Sequence, residues 1–483
     1  MQFRVALRIL GLLLMVFSTT MLPPLAVAWW YGDGGDMDFI HSFLLTAGSG
    51  FVLWALNYNA RRELRLRDGF VIVVMFWTVL GSSGALPFML SDNPHLSLTD
   101  AFFESFSGLT TTGATIITHI DDMPHALLFY RQFLQWLGGM GIIVLAVAIL
   151  PMLGIGGLQL YRAETPGPMK DSKLTPRITE TAKALWYIYL TLTVSCSLAY
   201  WASGMAAFDA IGHAFSTVAI GGFSTHDASI GHYQSPLIES IAVVFMLISG
   251  LNFALHFVAV RRNNWRVYWR DEEARVFLLL LGLVSLIASA YLWEEGTYET
   301  LGEAVLGGVF QAVSIGTTTG FTTAQYHMWP GFLPVLLLFV SFIGGCSGST
   351  GGGMKVIRVL LLVKQGKREI LRLIHPNAMI PVKVGGKPLG ENVISAVWGF
   401  FALYVAVFSL MLLAMMALGL DQVTAFSAVA ATINNLGPGL GDVGTDFASL
   451  PDSAKWISIF AMLLGRLEIF TLLVLFTPAF WRR

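Results

Sequence analysis

Ten long apolar stretches set the rhythm of the chain: 5–28, 37–57, 69–90, 126–158, 184–204, 236–260, 276–293, 330–363, 392–419 and 456–480. They approach or exceed the roughly 20 residues that carry a helix across a bilayer. Three shorter amphipathic segments, Asp100–Leu109, Asp209–Val218 and Asp421–Ile433, lie between stretches and are too short to span. The pattern predicts an all-α polytopic membrane protein with ten transmembrane helices, some joined by re-entrant half-helices. Composition agrees: mean hydropathy is +0.68, and 12% of residues are charged, against about a quarter in soluble proteins. Ala26-Val27-Ala28 resembles a signal-peptidase site. The run before it is long for a signal peptide, and Trp29, Trp30 and Tyr31 follow like an interfacial belt, so a retained helix is expected.

Charge placement orients the helices. Of 29 Lys and Arg, 26 fall in six places: Arg4 and Arg8, 61–67, 162–183, 261–275, 355–387, and Arg482 with Arg483. Ten spans put all six, and both termini, on one face, which the positive-inside rule makes cytoplasmic. The expected location is a cell membrane, crossed many times, with both termini on the cytoplasmic side. The opposite loops carry Asp33, Asp36, Asp38, Asp121, Asp122, Glu294, Glu295, Asp442 and Asp446, an acidic mouth that concentrates cations. Cys196 and Cys346 are the only cysteines, which excludes a disulfide framework or a cysteine-based metal site.

A weak fourfold repeat emerges from four glycine segments on the outer side: Thr110–Ala114, Ala219–Phe223, Thr317–Phe321 and Asn434–Pro438. Asp100, Asp209 and Asp421 sit where an N-cap or first-turn carboxylate starts a half-helix, and Glu299 and Glu303 take that place in the third unit. Each unit is span, half-helix, glycine loop, span. The expected division is an N-terminal two-helix hairpin (1–60), then four units at 61–160, 161–262, 263–365 and 366–483. A turn is expected at Val384-Gly385-Gly386-Lys387.

Irregular backbone at membrane depth is tolerated where it is buried in protein or lines water. Four such loops on one axis present carbonyls that replace a cation's hydration shell, and glycine supplies conformations closed to other residues. The expected ion ligands are Thr111, Thr112, Gly113, Ile220, Gly221, Gly222, Thr318, Thr319, Gly320, Asn435, Leu436 and Gly437. The hydroxyls of Thr112 and Thr319 either add ligands or satisfy the backbone. Only the fourth loop keeps a second glycine, Gly439, so fewer stacked sites and looser discrimination are expected than in a Thr-Val-Gly-Tyr-Gly filter.

Six glycines in the ten residues Gly344–Gly353 cannot hold a helix. Gly345, Cys346, Ser347, Gly348, Ser349, Thr350, Gly351, Gly352 and Gly353 are expected to form a gate below the filter, with close helix packing as the alternative. Arg466, deep in the last stretch, is expected to face the pathway or to pair with a carboxylate such as Glu468. Asn252 and His256 are weaker pathway residues. His213, four residues from Asp209, is expected to pack or cap. Gly439–Gly444 matches G-x-G-x-x-G without the βαβ context that dinucleotide binding needs.

The glycine loops, the Gly344–Gly353 run and Gly465-Arg466-Leu467-Glu468-Ile469-Phe470 resemble the TrkH/TrkG branch of the Trk/Ktr/HKT potassium transporter superfamily. The likeness covers essentially the whole chain. It implies potassium as the transported ion, no organic cofactor, and a homodimer whose protomers each hold a pore. It also implies a cytosolic TrkA-type nucleotide-binding regulatory ring as partner, beside the lipid bilayer of a bacterial inner membrane, with no nucleic acid. A serine at the first filter glycine accompanies sodium permeation in some plant relatives; here all four positions are glycine. The function expected is gated, channel-like potassium uptake, not an enzyme activity. A coupled secondary transporter is the rival, and the scarcity of carboxylates in the spans speaks against it.

Overall fold

A computed structural model describes residues 2–60, 66–141 and 178–482. The end of the fourth expected span, most of the basic linker 162–183 and the unit boundary at 160 lie outside these residues, as does the boundary at 61. The described chain is overwhelmingly helical. One antiparallel pair, Lys383–Val384 with Lys387–Pro388, closes the expected turn with φ of 56° and 80° at Gly385 and Gly386.

Five helical segments among the described residues are long and apolar enough to cross a membrane: Phe3–Tyr31, Asp36–Leu56, Arg67–Leu90, Glu272–Glu294 and Glu391–Ala417. Two of these build the N-terminal hairpin. A Cβ on Gly11 would stand 2.6 Å from Gly50 O, and one on Gly50 2.7 Å from Gly11 O. Paired small residues thus let the two backbones touch, the usual device for packing helices in lipid.

Three expected spans are broken, two of them where the pattern predicts continuous helices and one at the glycine run, where it predicts the break. Pro236–Gly250 and Phe253–Arg262 meet at 94°, and Asp452–Arg466 and Phe470–Phe476 at 106°. Between Leu333–Ile343 and Val356–Ile374 the glycine run interrupts the helix. Each break has a local cause. Asn252 leaves the helix and caps the next one, its Oδ1 accepting from Ala254 N at 2.8 Å. Glu468 and Ile469 both adopt positive φ, 52° and 56°. Arg466 is therefore the last residue of its helix, at the break within the bent pair, and helical geometry does not govern its relation to Glu468.

Candidate functional site

Four short helices, Leu98–Leu109, Ala207–Ala219, Leu301–Gly316 and Gln422–Ile433, each run into a glycine loop. Their starts follow the acidic signals. Ser97 caps the first, with Asp100 in its first turn held by Lys455 at 2.7 Å. Asp209 lies in the first turn of the second. Thr300 and Glu303 form a reciprocal capping box on the third. Asp421 caps the fourth, and hydrogen bonds from Thr424 and the Val423 N–H hold its carboxyl below the ordinary value.

The helices end alike. The N–H groups of Thr112, Gly221, Thr319 and Leu436 each reach back five residues, to Ser107, Ser216, Ser314 and Ala431, all at 2.8 Å. The residue before each has positive φ: Thr111 56°, Ile220 54°, Thr318 70°, Asn435 52°. This is one left-handed C-terminal cap used four times. Two residues on, Gly113, Gly222, Gly320 and Gly437 again have positive φ, from 79° to 99°.

These glycines also have no room for a side chain. A Cβ on Gly113 would lie 2.0 Å from Gly221 O, on Gly222 2.1 Å from Thr319 O, and on Gly320 2.1 Å from Leu436 O. On Gly437 it would lie 2.9 Å from Thr112 O. The first loop touches the second, the second the third, the third the fourth, and the fourth the first. The four loops close a ring in chain order, and all twelve residues expected as ligands lie in it. A closed ring of carbonyl-bearing backbone has the chemistry to replace water around a desolvated cation.

Side chains brace the ring from behind. Thr112 Oγ1 bonds Thr110 Oγ1 at 2.7 Å and accepts from Asn435 Nδ2 at 3.0 Å, while Thr319 Oγ1 bonds Thr317 Oγ1 at 2.7 Å. These hydroxyls, expected to add ligands or to satisfy the backbone, bond neighbouring side chains instead of backbone groups. Gln135 grips the second loop, donating to Gly221 O at 2.6 Å and accepting from Phe223 N at 3.1 Å. Arg131 and Glu104, both fully buried, pair at 2.7 Å. Glu104 accepts from Thr115 Oγ1 and Ile116 N, and Arg131 donates to Ser224 O, so the pair joins the outer arms of the first two loops. Nothing in the sequence marks either residue as a brace: Arg131 is one of the three basic residues outside the six clusters, and Glu104 is an ordinary position on the first short helix.

The glycine run lies directly beneath. Gly353 N donates to Asn434 O at 3.0 Å and Gly352 N to Thr318 Oγ1 at 2.7 Å. Thr350 Oγ1 donates to Val218 O at 3.0 Å. The run thus contacts the second, third and fourth units. Arg466 adds the first: it donates to Thr111 Oγ1 and Thr350 O, both at 3.4 Å, to Gly139 O at 3.1 Å, and to Gly138 O. Glu468 pairs with Arg358. Lys355, counted by sequence among the cytoplasmic basic residues, turns inward and donates to Gly351 O. Glu273 secures both ends of the run, accepting from Ser347 N at 2.6 Å and Ile357 N at 3.1 Å.

The remaining expected residues divide. Asn252 touches the run, since a Cβ on Gly348 would lie 2.9 Å from its Oδ1. His256 is held by Tyr268 Oη at 2.7 Å and Ile248 O at 2.9 Å, a packing role. His213 is likewise fixed, between Asp209 O and Ser224 Oγ.

Comparison with known proteins places this geometry. The TrkH family model, described as a cation transport protein, matches residues 35–483. The chain is 59% identical to the Trk system potassium uptake protein TrkH of Vibrio parahaemolyticus and 58% identical to that of Escherichia coli K12, covering all of each. It is 43% identical to Escherichia coli TrkG, with 99% of both chains covered. The crystal structure of the potassium transporter TrkH from Vibrio parahaemolyticus matches with a TM-score of 0.91 at 57% identity, over the whole of both chains.

Proposed function

Because the chain belongs to the TrkH family of cation transport proteins, we propose that it takes up potassium across the inner membrane through a gated pore made by its four glycine loops. It is a transporter and not an enzyme. The observation that carries the reading is the closed ring, in which each filter glycine meets a backbone carbonyl of the next loop. Such a ring serves an ion on its axis; a packing motif would not need four matching caps.

In this reading the ten spans are the five long helices, the two bent pairs, the interrupted pair Leu333–Ile343 with Val356–Ile374, Ile178–Ala202, and the helix that starts at His125. The termini face the cytoplasm, and the four units follow the boundaries 61–160, 161–262, 263–365 and 366–483. Backbone carbonyls of Thr111–Gly113, Ile220–Gly222, Thr318–Gly320 and Asn435–Gly437 coordinate the ion. Gly345–Gly353 and Arg466 close the path below.

One contact supports regulation from the cytosolic side. Glu272 pairs with Lys364 and accepts from Gly385 N at 3.0 Å, tying the Lys383–Pro388 hairpin to the residue next to Glu273. A cytosolic TrkA-type nucleotide-binding ring that moves the hairpin would pull on the helix start that fixes the gate. The protein works as a homodimer with one pore per protomer.

Potassium flux into liposomes under a clamped potential tests the reading. A potassium gradient alone should drive uptake. Uptake driven by a proton gradient with no potassium driving force would replace the channel by a coupled transporter.

A further inference from the structure

The segments that follow the first two glycine loops hold a cluster that takes no part in the ring or in the glycine run beneath it. Asp121 lies in the turn Ile120–Asp122, eight residues beyond Gly113, and His226 and His232 lie four and ten residues beyond Gly222. One ligand atom from each of these three side chains lies within 4.8 Å of the other two. His226 Nδ1 meets Asp121 Oδ1 at 2.5 Å. The imidazoles of His226 and His232 stand face to face, 3.5 Å apart and 1° from parallel. His226 Nε2 makes no hydrogen bond and faces Asp209 Oδ2 at 3.6 Å.

We propose that Asp121, His226 and His232 bind a divalent transition ion of the zinc class, and that its binding slows cation entry. Two imidazoles and one carboxylate form a ligand set that suits zinc and its neighbours. Calcium and magnesium prefer all-oxygen shells. Metal–ligand distances of about 2.0–2.2 Å place tetrahedral ligand atoms roughly 3.5 Å apart, so the wider separations close by up to about an ångström while the 2.5 Å contact between His226 and Asp121 opens by about as much. The rings must fan apart for their lone pairs to converge. His232 is exposed and makes only ring contacts among the described interactions, which leaves it free to tilt. With Nδ1 on the metal, the Nε2–H of His226 would face Asp209, the carboxylate–histidine arrangement that fixes a ligand's tautomer. A fourth position stays open to water.

Occupancy has two consequences. It cross-links the arms that descend into adjacent glycine loops, already joined where Ile120 N meets Asp227 Oδ1 at 2.9 Å. It also adds two positive charges to an acidic, cation-attracting mouth and so weakens its pull on cations. The binding claim stands alone, whereas the effect on flux rests on the proposed function.

Purified full-length protein titrated with zinc chloride by calorimetry, and proteoliposomes assayed for potassium flux with zinc outside, separate the two. The expected result is one saturable zinc site per chain, a lower flux when it fills, and at least about tenfold weaker binding in His232→Ala, since even outer-shell changes cost about 10–100-fold. Zinc-free flux of His232→Ala should match the parent and so report a folded protein. No saturable binding, unchanged affinity in His232→Ala, or an equal response to calcium would overturn the site. Intact binding with unchanged flux would leave the site standing and overturn the effect on entry.

Discussion

Position 113 shows how little the ring can give: a Cβ there would stand 2.0 Å from Gly221 O, on a backbone with φ of 80°. Both the contact and the conformation exclude side chains. Gly113→Ser should therefore displace the carbonyl of the neighbouring loop and raise sodium permeation relative to potassium, read as a shift in reversal potential. The buried pair behind the ring has a different signature. Removing Glu104 or Arg131 alone leaves a buried charge unpaired, which costs about 3–5 kcal/mol. Replacing both with apolar residues of similar size should cost less than either single change in denaturant unfolding. Arg466 holds four oxygens on three segments, a task suited to a guanidinium fork. A unit charge about 4 Å from a passing cation costs on the order of 1 kcal/mol in water and roughly 4 at an effective dielectric of 20. Arg466→Ala should accordingly raise flux per folded protein by about one to three orders of magnitude. Arg466→Lys keeps the charge, loses the fork and should fall between.

The breaks in three helices belong to the scale of elements. Gly250-Leu251-Asn252, the run 344–355 and Leu467–Ile469 interrupt the helices that follow the second, third and fourth glycine loops. At two of these places the overall hydropathy reads as one continuous stretch, although Asn252 lies in one break and Glu468 in the other. Hydrophobicity reports burial in lipid or protein and is silent on whether a helix turns through a right angle. Positive φ at Glu468 and Ile469 carries no compositional mark, since neither is glycine. The glycine run was legible because six glycines in ten cannot propagate a helix. Its attachments were not, for they depend on Glu273, 74 residues before Ser347. Partial deletion of Gly345–Gly353 should raise basal flux with little change in selectivity. Glu273→Ala, which frees Ser347 N and Ile357 N, should do the same more weakly. Unchanged flux in both folded variants would make the run a packing element.

For the whole molecule, the arrangement of the four loops was legible from repetition: glycines at 113, 222, 320 and 437 with short helices before them. The order of closure was not, because nothing in the spacing says which loop touches which. Nor was the bracing by Gln135, Asn435 and Arg131, where ordinary polar residues in apolar runs acquire a role only once the loops are placed. Lys355 turns inward to Gly351 O, a contact that its place in a basic cluster does not announce. The central claim is that the ring coordinates one file of ions, and anomalous diffraction from crystals grown in rubidium tests it most directly. The account predicts a peak on the axis between the carbonyl oxygens of Thr112, Gly221, Thr319 and Leu436. An ordered peak elsewhere in the protein, with none inside the ring, would contradict it.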